Sequence, residues 1–170
     1  MLYKSYYHSP LGKIILVSDE ESLVGLWIEG QKYYLGKLKD DFVKNDNIDI
    51  LVQTKEWLDL YFNGFKPCLS LLKLNPQGTS FQQKVWEILC DIPYGQTMTY
   101  GEIAKIIAQN EGKSSMSAQA IGGAVGHNPI SIIIPCHRVL GKDRCLTGYA
   151  GGIDKKKQLL QLEKIIFKES

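Results

Sequence analysis

The chain has 170 residues, of which 44% are hydrophobic and 22% charged, with a net charge of +2. That is room for one large domain or two small ones around a real core. Its four cysteines, Cys68, Cys90, Cys136 and Cys145, have neither metal-type pair spacing nor the density of a disulfide scaffold, which points to a reducing compartment. The stretch from Met1 to Tyr7 is polar and aromatic, unlike a signal peptide, and no apolar run is long enough to span a bilayer. A cytoplasmic location without membrane contact follows as the expectation. Charge is unevenly placed: residues 1–77 sum to −1, and those from Gly78 onward to +3. The second part is therefore the one expected to meet an anion.

In chain order, Tyr3 to Tyr7, Lys13 to Val17 and Leu23 to Ile28 read as strands. Ser9-Pro10-Leu11-Gly12 and Asp19-Glu20-Glu21-Ser22 supply the turns, predicting a three-stranded antiparallel sheet. Gln31 to Asn47 is polar and lysine-rich, a helix or a loop. Thr54 is placed to cap a helix whose face is Trp57, Leu58, Tyr61 and Phe62, with Gly64 ending it. Leu69 to Leu74 reads as a further strand. No catalytic constellation is visible here.

Asn75-Pro76-Gln77-Gly78 is a breaker cluster and divides the chain into residues 1–77 and 78–170. Ser80-Phe81-Gln82-Gln83 has the form of a capping box, followed by Phe81, Val85, Ile88 and Leu89 at helical spacing. Thr99-Tyr100-Gly101-Glu102 opens a second helix with Ile103, Ile106 and Ile107 inward. A third spans Met116 to Val125. It is built of small residues, among them Ala118, Ala120, Gly122, Gly123 and Ala124. A helical glycine costs about 1 kcal/mol relative to alanine, so the smallness needs a reason: close helix packing, or close approach to nucleic acid. A major-groove reader normally carries arginine, asparagine or glutamine toward base edges. This helix offers Gln119 and flanking serines, which suits shape-based minor-groove contact better. The final helix starts with Asp154 as its cap and carries Leu159, Leu160, Leu162 and Ile166, with Glu163 among them.

Between these last helices lies Ile132-Ile133-Ile134-Pro135-Cys136-His137-Arg138. Three β-branched residues read as a buried strand that the proline stops. A thiol is presented at the break, followed by a titratable ring and a fixed positive charge. A free thiol has a pKa of roughly 8.5, and lowering it to about 6 needs some 3 kcal/mol of differential stabilisation. Burial acts the other way. A nucleophilic Cys136 therefore requires compensation from His137, Arg138 or a helix dipole.

The string Pro135-Cys136-His137-Arg138 after its apolar run, with Asn128-Pro129-Ile130-Ser131 before it, resembles the active-site signature of the O6-alkylguanine-DNA alkyltransferases. The likeness extends from about Phe81 to Glu163. It implies an α+β fold: a small N-terminal antiparallel-sheet domain and a mostly helical C-terminal domain with a winged-helix-like helix-turn-helix. It implies double-stranded DNA carrying O6-alkylguanine as partner, bound from the minor groove by a monomer, with the damaged base flipped out. Carried over residue by residue, Cys136 is the alkyl acceptor and His137 its base through a water. Glu163 orients His137, Asn128 holds the active-site turn, and Tyr100 donates a proton to the leaving purine. Gln82, Ser117, Ala118, Gln119, Gly122, Tyr149 and Ala150 are the implied DNA and substrate contacts. The resemblance implies no cofactor. The first 67 residues lack cysteine, so no structural zinc is expected. Two departures stand out: Gln119 replaces an arginine that fills the base stack in many members, and Ala150 replaces a serine.

Two other readings are open to the residues. A non-enzymatic damage sensor of the same fold lacks the cysteine, and Cys136 argues against it. A Cys–His hydrolase requires the base in direct contact with the thiol, and an oxyanion hole.

Overall fold

The computed structural model describes residues 1–169. The architecture is α+β, and the chain divides into two compact units, Met1–Gln77 with Pro129–Ile133, and Gly78–Asn128 with Ile134–Ser170.

In the first unit, β1 (Tyr3–Ser9), β2 (Gly12–Ser18) and β3 (Leu23–Ile28) form an antiparallel meander. Gly12, at φ 108°, leaves the hairpin turn in a conformation that a side chain would resist. A short β4 (Val43–Lys44) lies parallel to β1, making the sheet four-stranded in the order β3-β2-β1-β4. The further strand expected at Leu69 to Leu74 is instead a 3-10 turn at Leu69–Leu71. Only Leu74 pairs, with Leu23.

β2 is buried on both faces, as its unbroken Ile-Ile-Leu-Val run requires. Ile15 and Val17 cluster with Trp27 and Phe42. The alternate residues Ile14, Leu16, Leu26 and Ile28 are fully buried. Helix α1 (Asp49–Phe62) packs on β1, β2 and β3. Thr54 is not its cap: it lies mid-helix, buried, with Oγ1 donating to the Ile50 carbonyl one turn back. That bond satisfies the hydroxyl without stopping the helix.

The open edge of β3 is covered twice. Leu23 bonds Lys73 and Asn75 through its N–H and carbonyl, and Leu26 bonds Pro129 and Ser131 in the same way. This satisfies backbone groups that an exposed edge would leave unpaired. The run Ile132–Ile134 is not the strand that its β-branched residues predict. Its first residue has φ 72°, and Ser131–Ile133 form a buried turn. A β-branched residue in the left-handed region costs on the order of 1–3 kcal/mol, so only a closely packed setting keeps it there. All three isoleucines are buried. Apolar burial drove both readings; backbone direction was decided by pairing with β3.

The second unit contains α2 (Ser80–Cys90), β5 (Met98–Thr99), α3 (Tyr100–Asn110), α4 (Ala118–Gly126), β6 (Val139–Leu140) and α5 (Ile153–Leu162). The capping box of α2 starts one residue earlier than its sequence form suggests. Thr79 is the cap: its hydroxyl accepts from the Gln82 N–H, and Gln82 Oε1 accepts from the Thr79 N–H. Trp86 anchors α2 to α4 by donating from Nε1 to the Ala124 carbonyl at 2.9 Å. A Cβ on Gly78 would collide with its ring, so only glycine fits before the cap. Thr99 caps α3 through the Glu102 N–H, and Ser117 caps α4 through the Ala120 N–H. α3 and α4 pack together across the seven-residue connection 111–117. α5 starts at Ile153 after Gly152 rather than after an Asp154 cap, and ends before Glu163, leaving Ile166 exposed beyond it. No helix among the described residues is long and apolar enough to cross a membrane.

Candidate active site

The site is built where β6 lies parallel to β5. Met98 pairs with Val139 and Thr99 with Leu140, so the turn before β6 is fixed beside the start of α3. That turn is the 3-10 segment Cys136–Arg138. Pro135, at φ −82° and ψ 64°, bends the chain, and the Cys136 N–H bonds the Ile134 carbonyl at 2.8 Å. Cys136 and His137, neighbours that a strand would send to opposite faces, are both buried here. Asn128 donates from Nδ2 to the Ile134 carbonyl at 2.8 Å, clasping the ends of the segment that precedes the thiol.

Behind Cys136 is a carboxylate held on all sides. Glu163 accepts from His137 Nε2 at 2.5 Å, from Arg138 Nε at 2.8 Å and Nη2 at 3.2 Å, and from the Gly95 N–H at 3.0 Å. Arg138 also donates to the Ile92 carbonyl at 2.7 Å. Burial alone would raise the Glu163 carboxyl, but the hydrogen bonds and positive charge of His137 and Arg138 overcome it and hold it down at about 2. His137 is pushed below its usual value by burial, with Glu163 opposing. At neutral pH the ring is accordingly neutral. Its Nε2 faces a carboxylate, so that nitrogen carries the proton and Nδ1 keeps its lone pair. Nδ1 is buried and has no hydrogen-bond partner among the described residues.

The thiol itself is only 5% exposed. Burial raises its pKa; Asn128, the Lys156 ammonium and Tyr149 pull the other way. Lys156 is a full surprise. From Lys155-Lys156-Lys157 it reads as part of a solvated charge run, yet it is 0% exposed. The spacing Lys156, Leu159, Leu160, Glu163 does put it on the inward face of α5.

An open cleft of about 650 Å³ is lined by Tyr100, Ala118, Gln119, Gly122, Lys142 and Asp143 among others, and Cys136 is not among its lining residues. Tyr100, the first residue of α3, is half-buried, and its hydroxyl lies 3.1 Å from Thr147 Oγ1. Burial raises the pKa of its phenol, the Thr147 hydrogen bond lowers it, and a thiolate at Cys136 would raise it further. A Cβ on Gly122 would lie 3.9 Å from the Tyr100 ring, an ordinary van der Waals contact, so packing against Tyr100 does not require a glycine there. Ser117, Ala118 and Gln119 are exposed at the start of α4, and Tyr149 and Ala150 are half-buried. Gln82 is spent on the α2 cap and lines no part of the cleft. Sequence reasoning gave no role to Arg138 beyond a nearby charge, and none at all to Lys156 or Thr147.

Comparison with known proteins agrees along the whole chain. Residues 2–76 match the family model of the 6-O-methylguanine DNA methyltransferase ribonuclease-like domain, and residues 80–165 that of the 6-O-methylguanine DNA methyltransferase DNA binding domain. A methylated-DNA–protein-cysteine methyltransferase of Haemophilus influenzae is 45% identical over 96% of this chain and 87% of that one. The constitutive methyltransferase of Bacillus subtilis is 35% identical over 99% of both. Among solved structures, the O6-methylguanine methyltransferase of Mycobacterium tuberculosis superposes with a TM-score of 0.79 at 38% identity, covering 96% of this chain and 93% of that one. The OGT of the same organism in complex with DNA gives 0.80 at 37%, covering 95% and 92%.

Fold and buried thiol together define a DNA repair methyltransferase whose acceptor is a cysteine of its own polypeptide. The likeness spans both units, not the cysteine motif alone. The chain belongs to the methylated-DNA–protein-cysteine methyltransferase family.

Proposed function

We propose that this chain repairs O6-alkylguanine in double-stranded DNA by moving the alkyl group to Cys136, once per molecule. The observation that carries the reading is the thiol's setting: a buried sulfur beside a neutral His137 with an unpartnered Nδ1, backed by the Glu163–Arg138 pair. At rest the thiol is protonated, because burial raises its pKa. No direct Cys136–His137 hydrogen bond exists among the described residues, so the proton leaves through a bridging water to Nδ1. Glu163 then balances the imidazolium. This separation from direct contact argues against the hydrolase reading.

The thiolate attacks the alkyl carbon in line. The sulfur–carbon bond forms as carbon–O6 breaks, and the electron pair goes to the purine. Tyr100 donates a proton to the ring as that charge develops. A stacked base cannot offer its alkyl carbon, so the nucleotide is extruded at a cost of a few kcal/mol, least for a damaged base. The α3–α4 pair serves as the helix-turn-helix in the minor groove, with Ser117, Ala118 and Gln119 at the DNA and Gly122, Tyr149 and Ala150 around the base. Gln119 fills the stack without charge. Only the backbone amide of Ala150 is available to O6. The Gln82 amide nitrogen, on the exposed side of its cap, is left for a phosphate. The protein acts as a cytoplasmic monomer, on residues 78–170 for binding and transfer, with no cofactor.

Incubation with methylated duplex DNA followed by intact mass measurement tests this. One methyl per chain on Cys136, and none in Cys136→Ala, is the expected result. Turnover beyond one equivalent would refute single use.

A further inference from the structure

Lys156 has three N–H donors and no lone pair. It gives them to the Val139 carbonyl at 2.7 Å, Thr147 Oγ1 at 3.1 Å and the Gly148 carbonyl at 3.4 Å. No carboxylate among the described residues pairs with it. Thr147 Oγ1 therefore accepts from Lys156, and the hydroxyl's own proton is left for the next oxygen in line, Tyr100 Oη at 3.1 Å. Tyr100, accepting there, keeps its own O–H for the cleft that its ring lines.

The threonine rotamer is held in place. Its methyl lies against Gly141, where an added Cβ would come within 2.8 Å of Cγ2. β-Branching leaves χ1 stiff, so a methyl packed on Gly141 keeps the hydroxyl on the Lys156–Tyr100 line.

We propose that Thr147 is a positioning residue that makes Tyr100 a proton donor, aiming its O–H into the cleft and resupplying its proton from Lys156. This rests on the reading of Cys136 as alkyl acceptor and Tyr100 as donor. As the carbon–O6 bond breaks, the Tyr100 proton passes to the purine and the Thr147 proton to the tyrosyl oxygen. A Lys156 proton then passes to Thr147. Thiolate and ammonium become thioether and neutral amine, and guanine leaves uncharged. Burial supports the donor end by lowering Lys156 to about 8, while Cys136 raises it. At the other end burial raises Tyr100, and the Thr147 hydrogen bond favours its phenolate. The titratable groups whose charge meets Lys156 are Cys136 and His137 of the 3-10 turn, and Tyr100 through Thr147.

The test is the single-turnover rate of methyl transfer from duplex DNA against pH, with DNA affinity measured separately. Wild type is expected to slow above about pH 8, as Lys156 loses its proton. Thr147→Val and Thr147→Ala are expected to transfer about tenfold more slowly at pH 7 with unchanged affinity, and to lose that alkaline decline. Thr147→Ser should recover most of the rate. In a Tyr100→Phe background, Thr147→Val should change nothing further. Wild-type rates and pH profile in both hydroxyl-less variants would overturn the proposal. So would a serine variant as slow as valine, or a valine effect that persists undiminished without the phenol. A wild type that takes no methyl on Cys136 would instead sink the reading beneath it.

Discussion

The sheet unit buries Ile14, Leu16, Val17, Leu23, Leu26 and Ile28 with only neutral polar companions, Ser5, Ser18, Ser22, Gln31, Thr54 and Ser131. The helical unit buries an imidazole, a guanidinium, an ammonium and a carboxylate around one thiol. Two cores of one chain are thus built on different terms. The first gains from apolar area at about 25 cal/mol per Å². The second carries a desolvation cost of several kcal/mol per ion, recovered only because its partners are complete. Buried charge stands where the chemistry needs it and nowhere else among the described residues.

The comparison breaks most sharply at the sulfur. Cys136→Ala should abolish methyl uptake while leaving the unfolding midpoint close to wild type, since a thiol packs as a small apolar group. Loss of the fold together with the activity would show that the cluster needs its nucleophile for stability. Next comes Glu163→Gln, which leaves Arg138 without its counter-charge and weakens the hydrogen bond that orients His137. A loss of about 3–5 kcal/mol in urea unfolding is expected, with slower transfer.

A similar destabilisation of different character is expected in the other unit. Leu16→Ala removes a fully buried side chain and should cost about 2–5 kcal/mol, yet transfer by the folded fraction should be unchanged. A slowed reaction at full folding would mean that the sheet unit shapes the site.

Acid sharpens the contrast. The Glu163 carboxyl ionises more easily folded, at about 2, than its ordinary 4.5. Its contribution is complete above the ordinary value and is lost as pH falls through the folded one. Glu163→Gln should therefore flatten the decline in stability between those limits, measured by urea midpoints at each pH. An unchanged acid profile would remove Glu163 as its source. The smallest effect is the DNA-facing one: Gln119→Arg should raise the transfer rate on duplex more than on single strands. Equal effects on both would take Gln119 out of the stack.

Much of this was legible in the residues. The three strands and the α2, α3 and α4 helices follow from period and caps, and Cys136, His137 and Glu163 from the motif. The errors share a cause. Ile132–Ile134 declared burial, and burial alone cannot separate strand from turn. Thr54 declared a cap, but its hydroxyl found a carbonyl one turn back. Lys156 declared solvent, because lysine is rarely buried and its flanking lysines are not.

The sequence by itself determined which segments are apolar, where the chain turns, and which string bears the nucleophile, since these depend on neighbours a few residues apart. Tertiary structure alone decided that Glu163 meets both His137 and Arg138, that Lys156 goes inward, and that Thr147 joins it to Tyr100. Those contacts bridge 9 to 47 residues of chain. A charge survives burial only when such distant partners arrive together, and no local pattern records that they will.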